Sequence, residues 1–304
     1  MDETRAGLLR ALAFFDVVDY SPTRIELVTH FDVGEKNQEP RSKNQGIDQE
    51  IQKLEEEKII QQSLGRFFFS GREHLVTEHE KREALFPRKL RRARNVVRWL
   101  RRLGGVCFVA LCNTTALAHA GEKGDLDFFI VTKAGTIWQT RGWSALPLQL
   151  FKLRPGDTDR DPVCLSFFVD NTALNLRPLH MGADDVYFRH WFLSLLPLYD
   201  DGIGATLWEA NEDIWSRHPK ATPWMVNHDI GFLPTINFIP MFSWLESFAR
   251  AMQQKRFPAS IRSLMNQDTR VVVDDHVLKF HVEDGRERVR SKYQVACSKY
   301  GIDP

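Results

Sequence analysis

Asp125-Leu126-Asp127 is the stretch whose residue types and spacing best suit chemistry. Residues i and i+2 of a strand project to the same face. The two carboxylates therefore point together, while Leu126 and Phe128 point to the other side. Two carboxylates at one strand edge bind a hard cation such as Mg²⁺ or Mn²⁺ through oxygen, with water and substrate phosphates completing the shell. Such an ion orients a triphosphate, activates an attacking hydroxyl and neutralises the departing pyrophosphate. An Asp-x-Asp by itself is common at turns. Its weight comes from what precedes it: the apolar run Val106 to Leu111, the polar turn Asn113-Thr114, and ten residues, 115 to 124.

The surrounding elements have to present that edge. Val106 to Leu111, Asp125 to Thr132 and Val163 to Val169 read as strands, with a helix over Thr136 to Leu150 that Pro147 is expected to end. Lys133 and Arg141 follow the carboxylate strand and are candidates to neutralise phosphate charge. His119, between Thr114 and Asp125, is expected at a solvated loop position, with a phosphate contact as the alternative. Residues 183–198 and 204–217 read as helical. Val271 to Val273 and Leu278 to Val282 are strand-like, and a charged helix begins near Gly285.

Upstream, helical periods cover residues 4–16, Thr23 to Phe31 and a third segment marked by Ile47, Ile51 and Leu54. A polar loop, 34–46, separates the last two. Ile59-Ile60 and Phe67-Phe68-Phe69 then flank a turn at Gly65. Three helices and a hairpin is the winged-helix order. The third helix carries Asp48, Glu50, Glu55, Glu56 and Glu57, which repel phosphates, so protein docking is favoured over DNA reading. Residues 72–103 read as one long helix, kinked or restarted at Pro87. Its apolar stripe is Phe86, Leu90, Ala93, Val97 and Leu100. The other face bears arginines from Arg88 to Arg102, either a solvated cationic face or a surface for polyphosphate or nucleic acid.

These segments resemble the DNA polymerase β-like nucleotidyltransferase superfamily. Its signature is an apolar strand ending in a Gly-Ser pair, about ten residues, then Asp-apolar-Asp. The match looks closest to bacterial nucleotidyltransferase-domain proteins with an N-terminal winged-helix-like region, supported by Phe15 to Tyr20, Cys164 to Phe168 and Leu278-Lys279-Phe280-His281. The resemblance implies an α/β (α+β) fold: a small mixed-sheet nucleotidyltransferase core, preceded by the winged-helix-like domain and followed by a helical region. The boundaries are 1–71 winged-helix-like, 72–104 basic connecting helix, 105–182 core and 183–304 mostly helical. It implies metal ligation by Asp125 and Asp127, nucleotide contacts from Asn113, Thr114, Lys133 and Arg141, an NTP substrate and a hydroxyl acceptor. Two positions depart from the pattern. Asn113 replaces the glycine, and Ser166 stands where many members carry a third carboxylate, leaving Asp170 at the strand end as a substitute metal ligand. A catalytically silent binding or scaffold protein, and a winged-helix nucleic-acid-binding regulator, are the alternatives to an active transferase.

Bulk composition excludes other classes. A net charge of +1 argues for no polyanionic partner of the whole chain. The four cysteines, Cys107, Cys112, Cys164 and Cys297, form no CxxC pair, so reduced thiols and no zinc are expected. His180, His190, His218, His228, His276 and His281 lack metal spacing and read as packed or surface residues. No signal peptide or membrane span is expected, which points to a cytoplasmic protein. The most apolar stretch, Ile230 to Leu245, holds Pro234 and Pro240 and suits buried loop and helix segments. No P-loop, GxSxG or GxGxxG motif occurs.

Overall fold

A computed structural model describes residues 2–34, 45–182, 184–224 and 239–304. The chain opens with α1 (Glu3–Val17), α2 (Arg24–Thr29) and α3 (Gln45–Glu56), then the hairpin strands β1 (Ile60–Ser63) and β2 (Arg66–Phe69). Asp2 caps α1 by accepting from Thr4 N, and Thr23 with Glu26 forms a capping box on α2. Leu64 (φ 51°) and Gly65 (φ 74°) both take left-handed backbone, as a two-residue hairpin turn requires. The polar loop expected over 34–46 lies outside the described residues at 35–44, as do His228 and most of the apolar stretch, 230–238.

The single helix expected over 72–103 is two: α4 (His74–Glu83) and α5 (Phe86–Leu100). Pro87 sits in the first turn of α5, where its missing N–H costs no bond, so it starts a helix rather than kinking one. The chain then runs through β3 (Val106–Leu111), the single turn α6 (Asn113–Ala116), β4 (Leu126–Thr132), α7 (Ile137–Leu150) and β5 (Val163–Asp170). Pro147 does not end α7. The carbonyl its ring leaves unbonded, that of Trp143, accepts from the Trp99 indole at 3.3 Å.

After β5 come α8 (Val186–Leu193), β6 (Leu196–Asp200), α9 (Gly204–Glu209) and α10 (Glu212–Trp215). Past residue 239 are α11 (Ser243–Lys255), α12 (Ala259–Leu264), β7 (Val271–Val273), β8 (Val277–Phe280) and α13 (Arg286–Lys299). The helix expected to reach 198 stops at Leu193, and 196–200 is a strand instead. Pro197 cannot donate to a ladder, and β6 occupies an edge where that is tolerated.

The six-stranded sheet is mixed, in the order β6-β3-β4-β5-β8-β7, with β4 and β5 parallel and the other pairs antiparallel. The fold is therefore mixed α/β. Half of its strands come from beyond residue 182, in the region expected to be mostly helical. One sheet face packs Leu111, Leu126, Phe128 and Ile130 against Ala93 and Val97 of α5 and Trp138 of α7. The opposite face packs Phe129, Val131 and Phe167 against Phe188, Trp191 and Phe192 of α8. The first three helices and the hairpin form a third cluster that includes Val186, Tyr293 and Cys297, and so rests on α8 and α13. Among the described residues, no helix is long and apolar enough to cross a membrane.

Candidate functional site

Asp127 lies near the start of β4 and Asp125 just ahead of it. The antiparallel register pairs Leu111 with Phe128, so the chain leaving β3 turns directly beside Asp127. Cys112 N donates to Asp127 O at 3.0 Å, and the Thr115 hydroxyl donates to Asp125 O at 2.8 Å. Asn113 adopts φ 56°, the left-handed backbone for which glycine is best suited and which asparagine tolerates. Tyr187 donates to Asn113 Oδ1 at 3.2 Å, which turns the amide so that its NH₂ hydrogen bonds to the Asp127 carboxylate.

A buried cation fixes the other side. Lys89 of α5 donates to Gly124 O and to Asp161, each at 2.7 Å. Gly124 precedes Asp125, and Asp161 precedes β5. Leu126 N also donates to Pro162 O at 2.7 Å. The beginnings of β4 and β5 are thus tied to one ammonium. Asp127 pairs with Cys164 across the parallel ladder, and an irregularity follows, because Phe129 pairs with Phe167. One extra residue on β5 is absorbed around Leu165 and Ser166.

Asp125, Asp127 and Cys164 offer ligand atoms within 4.8 Å of one another. Burial raises the pKa of Asp125, and the Asp127 charge raises it further against the opposing pull of Lys89. Burial also raises Asp127, opposed by hydrogen bonds from Asn113 and Cys164. Burial and then the Asp127 charge push the Cys164 thiol up to about 12, so it remains protonated. Among the described residues no lysine, arginine or histidine forms an ion pair with either carboxylate.

A cavity of about 410 Å³ opens on this edge, within the usual range for small-molecule sites. Asn113, Asp127, Cys164 and Ser166 line one side; Lys279, His281 and Arg288 line another. Burial lowers Lys279 to about 8 and His281 to about 4. Ser166 Oγ is 3.2 Å from His281 Nε2. Arg286 also faces the cavity, but its guanidinium is held by Asp185, Asp284, Leu179 O and Thr269.

Asn113, Thr114, Asp125 and Asp127 of the expected set are brought together, with Thr114 exposed at the turn. Three expected contributors lie elsewhere. Lys133 is at the far end of β4, roughly 20 Å along the strand from Asp127. Arg141 is on α7, which packs on the opposite sheet face; its guanidinium lies 4.4 Å from the Phe280 ring centroid and donates to Gln253 at 2.6 Å. Asp170 pairs with Thr132, at the opposite end of the β4–β5 ladder from Asp127. It accepts from Thr172 N, Thr172 Oγ1 and His276 Nδ1. Asp170 is therefore no third metal ligand. His119 is not in a solvated loop; it is buried, with Nδ1 3.0 Å from His79 Nδ1.

Comparison with family models finds no match, and comparison with curated proteins and with solved structures finds none. The functional reading therefore rests on the cleft itself. Cys164, Tyr187, Lys279 and His281 are the residues that sequence reasoning did not assign to it. Alternation along Leu278-Lys279-Phe280-His281 carries the signal for two of them, since Lys279 and His281 share a strand face. Tyr187 carries none; only the packing of α8 brings it to Asn113.

Proposed function

We propose that the cleft binds a nucleoside triphosphate with a divalent cation and transfers its nucleoside monophosphate to a hydroxyl acceptor. The single observation carrying this reading is the pair Asp125 and Asp127 at one strand edge, half-buried, mutually repelling, and without a cationic side chain in contact. Carboxylates held that way suit a hard cation, and the oxygen donors fit Mg²⁺ or Mn²⁺. The cation would supply charge neutralisation on the phosphates and on the departing pyrophosphate. Asn113 holds the Asp127 carboxylate in place, itself oriented by Tyr187. Arg288 provides positive charge across the cavity for phosphate oxygens, whereas the Lys279 ammonium is held by Thr269 O. Trp191 and Phe188 exclude water from its floor.

The resemblance to the polymerase β-like superfamily supports the same reading, and the α1–α3 and hairpin region is proposed as its winged-helix-like docking unit. A nucleic-acid partner is the weaker proposal for the α5 face. Arg91, Arg98 and Arg102 are exposed there, whereas Arg88 is spent on Glu122 and Asp161.

A second reading, nucleotide binding without transfer, is favoured by one observation. Ser166 and Cys164 occupy the β5 edge where a third acid would serve as base for the acceptor hydroxyl. His281 beside Ser166 is a poor base, because burial lowers its pKa to about 4. The test is release of pyrophosphate from Mg-NTP over a panel of hydroxyl acceptors, run beside nucleotide binding. Binding with transfer supports the first reading. Binding without transfer leaves the second. No binding overturns both.

A further inference from the structure

A second cluster of ligand-bearing side chains lies where the N-terminal helices meet α8. Asp32, His190 and His218 are completely buried and offer ligand atoms within 4.8 Å of one another. They come from the loop after α2, from α8 and from the segment after α10, so they join three separate parts of the chain.

The surrounding hydrogen bonds fix where the imidazole protons sit. His218 Nδ1 is 3.2 Å from the carbonyl oxygens of both His30 and Phe31; carbonyls only accept, so this nitrogen carries the proton. The Ser194 hydroxyl donates to His190 O at 2.7 Å. Its oxygen is then left to accept from His30 Nε2, 3.4 Å away. His30 therefore keeps a lone pair on Nδ1, which accepts the N–H of His190 Nδ1 at 2.7 Å. His190 and His218 are both left with an unprotonated Nε2. Burial keeps both rings neutral. Both Nε2 atoms are buried and have no hydrogen-bond partner among the described residues. Two bare imidazole lone pairs in a cluster that also holds a buried carboxylate call for an explanation, since buried polar atoms are ordinarily met.

We propose that Asp32, His190 Nε2 and His218 Nε2 bind a divalent transition-metal ion of the zinc class, which fastens the N-terminal helices to the sheet-bearing body. Two imidazoles and a carboxylate are a donor set such ions take, with a water in the fourth place. The second ring nitrogen of each histidine donates to a neighbour, the arrangement that orients metal-binding imidazoles. A tetrahedral zinc shell sets its ligand atoms roughly 3.3 Å apart, so the cluster contracts on binding. Arg189 and Arg217 also face Asp32, at 3.4 and 3.2 Å, and both reach Asp184 as well. Among the described residues two guanidiniums answer the two carboxylates, which sets the affinity for an ion below that of a closed thiolate site. Arg189 Nε, buried without a partner, is the rival occupant: a shift onto an imidazole would satisfy the lone pair without metal.

The test uses the full chain, stripped with chelator and titrated with zinc chloride alone, with bound zinc and thermal stability measured. The Asp125→Asn/Asp127→Asn variant is run in parallel, so that zinc held by the cleft is not counted. About one equivalent retained in that variant, with a raised Tm, is the expected result, and His218→Gln loses both. Cobalt(II) on the chain with native His218 supplies a readout that needs no change at the cluster. Strong visible bands of a low-coordinate nitrogen-ligated ion, displaced by zinc, are expected; faint bands of a hydrated ion count against the site. No retained zinc and no Tm shift, or an equivalent that survives in folded His218→Gln, overturns the proposal.

Discussion

Asp127 and Asp170 stand at opposite ends of the same parallel strand pair, and only one of them has its charge answered. Asp170 is fully buried and accepts two hydrogen bonds from Thr172 and one from His276. Asp127 has Asp125 for a neighbour, an amide and a thiol for hydrogen bonds, and an open cavity beyond them. One end of the ladder uses a carboxylate to close a turn. The other keeps two carboxylates close together against their mutual repulsion. A structural carboxylate stabilises the fold when ionised, whereas a site carboxylate stabilises it only when a ligand arrives. Substitution at the two ends should therefore have opposite consequences.

The largest effect is expected from the cation that positions the open end. Lys89 is buried, donates to Asp161 and Gly124 O, and has no solvent to replace those bonds. Lys89→Met should cost about 2–4 kcal/mol in denaturant unfolding, because Gly124 O loses its donor and Asp161 keeps only Arg88. A loss below 1 kcal/mol would mean that the clamp does not hold the strand starts.

At the closed end, Asp170→Ala should cost roughly 1–2 kcal/mol through the lost hydrogen bonds from Thr172 and His276, whose donors water can then reach. Nucleotide binding should be unchanged once the variant is folded. A Mg-NTP response that vanished in a folded Asp170→Ala protein would erase the distinction between the two ends.

The His79–His119 pair supplies a pH test of the packing beside the Asn113 turn. Burial lowers His79 to about 4 and His119 to about 3. Both depressed values mean that the folded chain excludes protons that the unfolded chain takes up below about pH 6.5. Their contribution is complete above that pH and declines as pH falls toward 4. Each should add a slope of at most about 1.4 kcal/mol per pH unit to the stability curve between those limits. His119→Gln should flatten that curve between pH 6.5 and 4; an unchanged slope would show that the pair is not held neutral.

The smallest effect on stability is expected at the open end itself. Asp127→Asn removes repulsion from Asp125, so the metal-free chain should be unchanged or gain up to about 1 kcal/mol. A loss of several kcal/mol would place Asp127 among the structural carboxylates.

The carboxylate edge was legible in the sequence because alternation and spacing are local properties. Val106 to Leu111 and Phe128 to Val131 carry uninterrupted apolar runs, and strand period alone puts Asp125 and Asp127 on one side. What completes the cleft depends on long-range register. Ser166 was compared with a third acid by counting along β5, but the irregular pairing opposite Phe128 shifts that count and brings Cys164 level with Asp127. Lys133 and Arg141 follow Asp127 closely in sequence, yet a strand carries the first away and a crossover to the other sheet face removes the second. Lys279 and His281 come from more than 100 residues downstream; their strand is expected over Leu278 to Val282, but its place beside β5 is not. The β6 strand was hidden because Pro197 and two leucines read as well for a helix end as for an edge strand.

The central claim is that the open end is a metal–nucleotide site. Thermal unfolding with Mg²⁺ and each NTP, on the native chain, on Asp125→Asn/Asp127→Asn and on Asp170→Asn, tests it most directly. The account predicts a Tm rise with Mg-NTP in the native chain and in Asp170→Asn that is lost in the double variant, while the double variant unfolds no lower than the native chain without ligand. No shift for any nucleotide, or a shift that persists in the double variant, would contradict it.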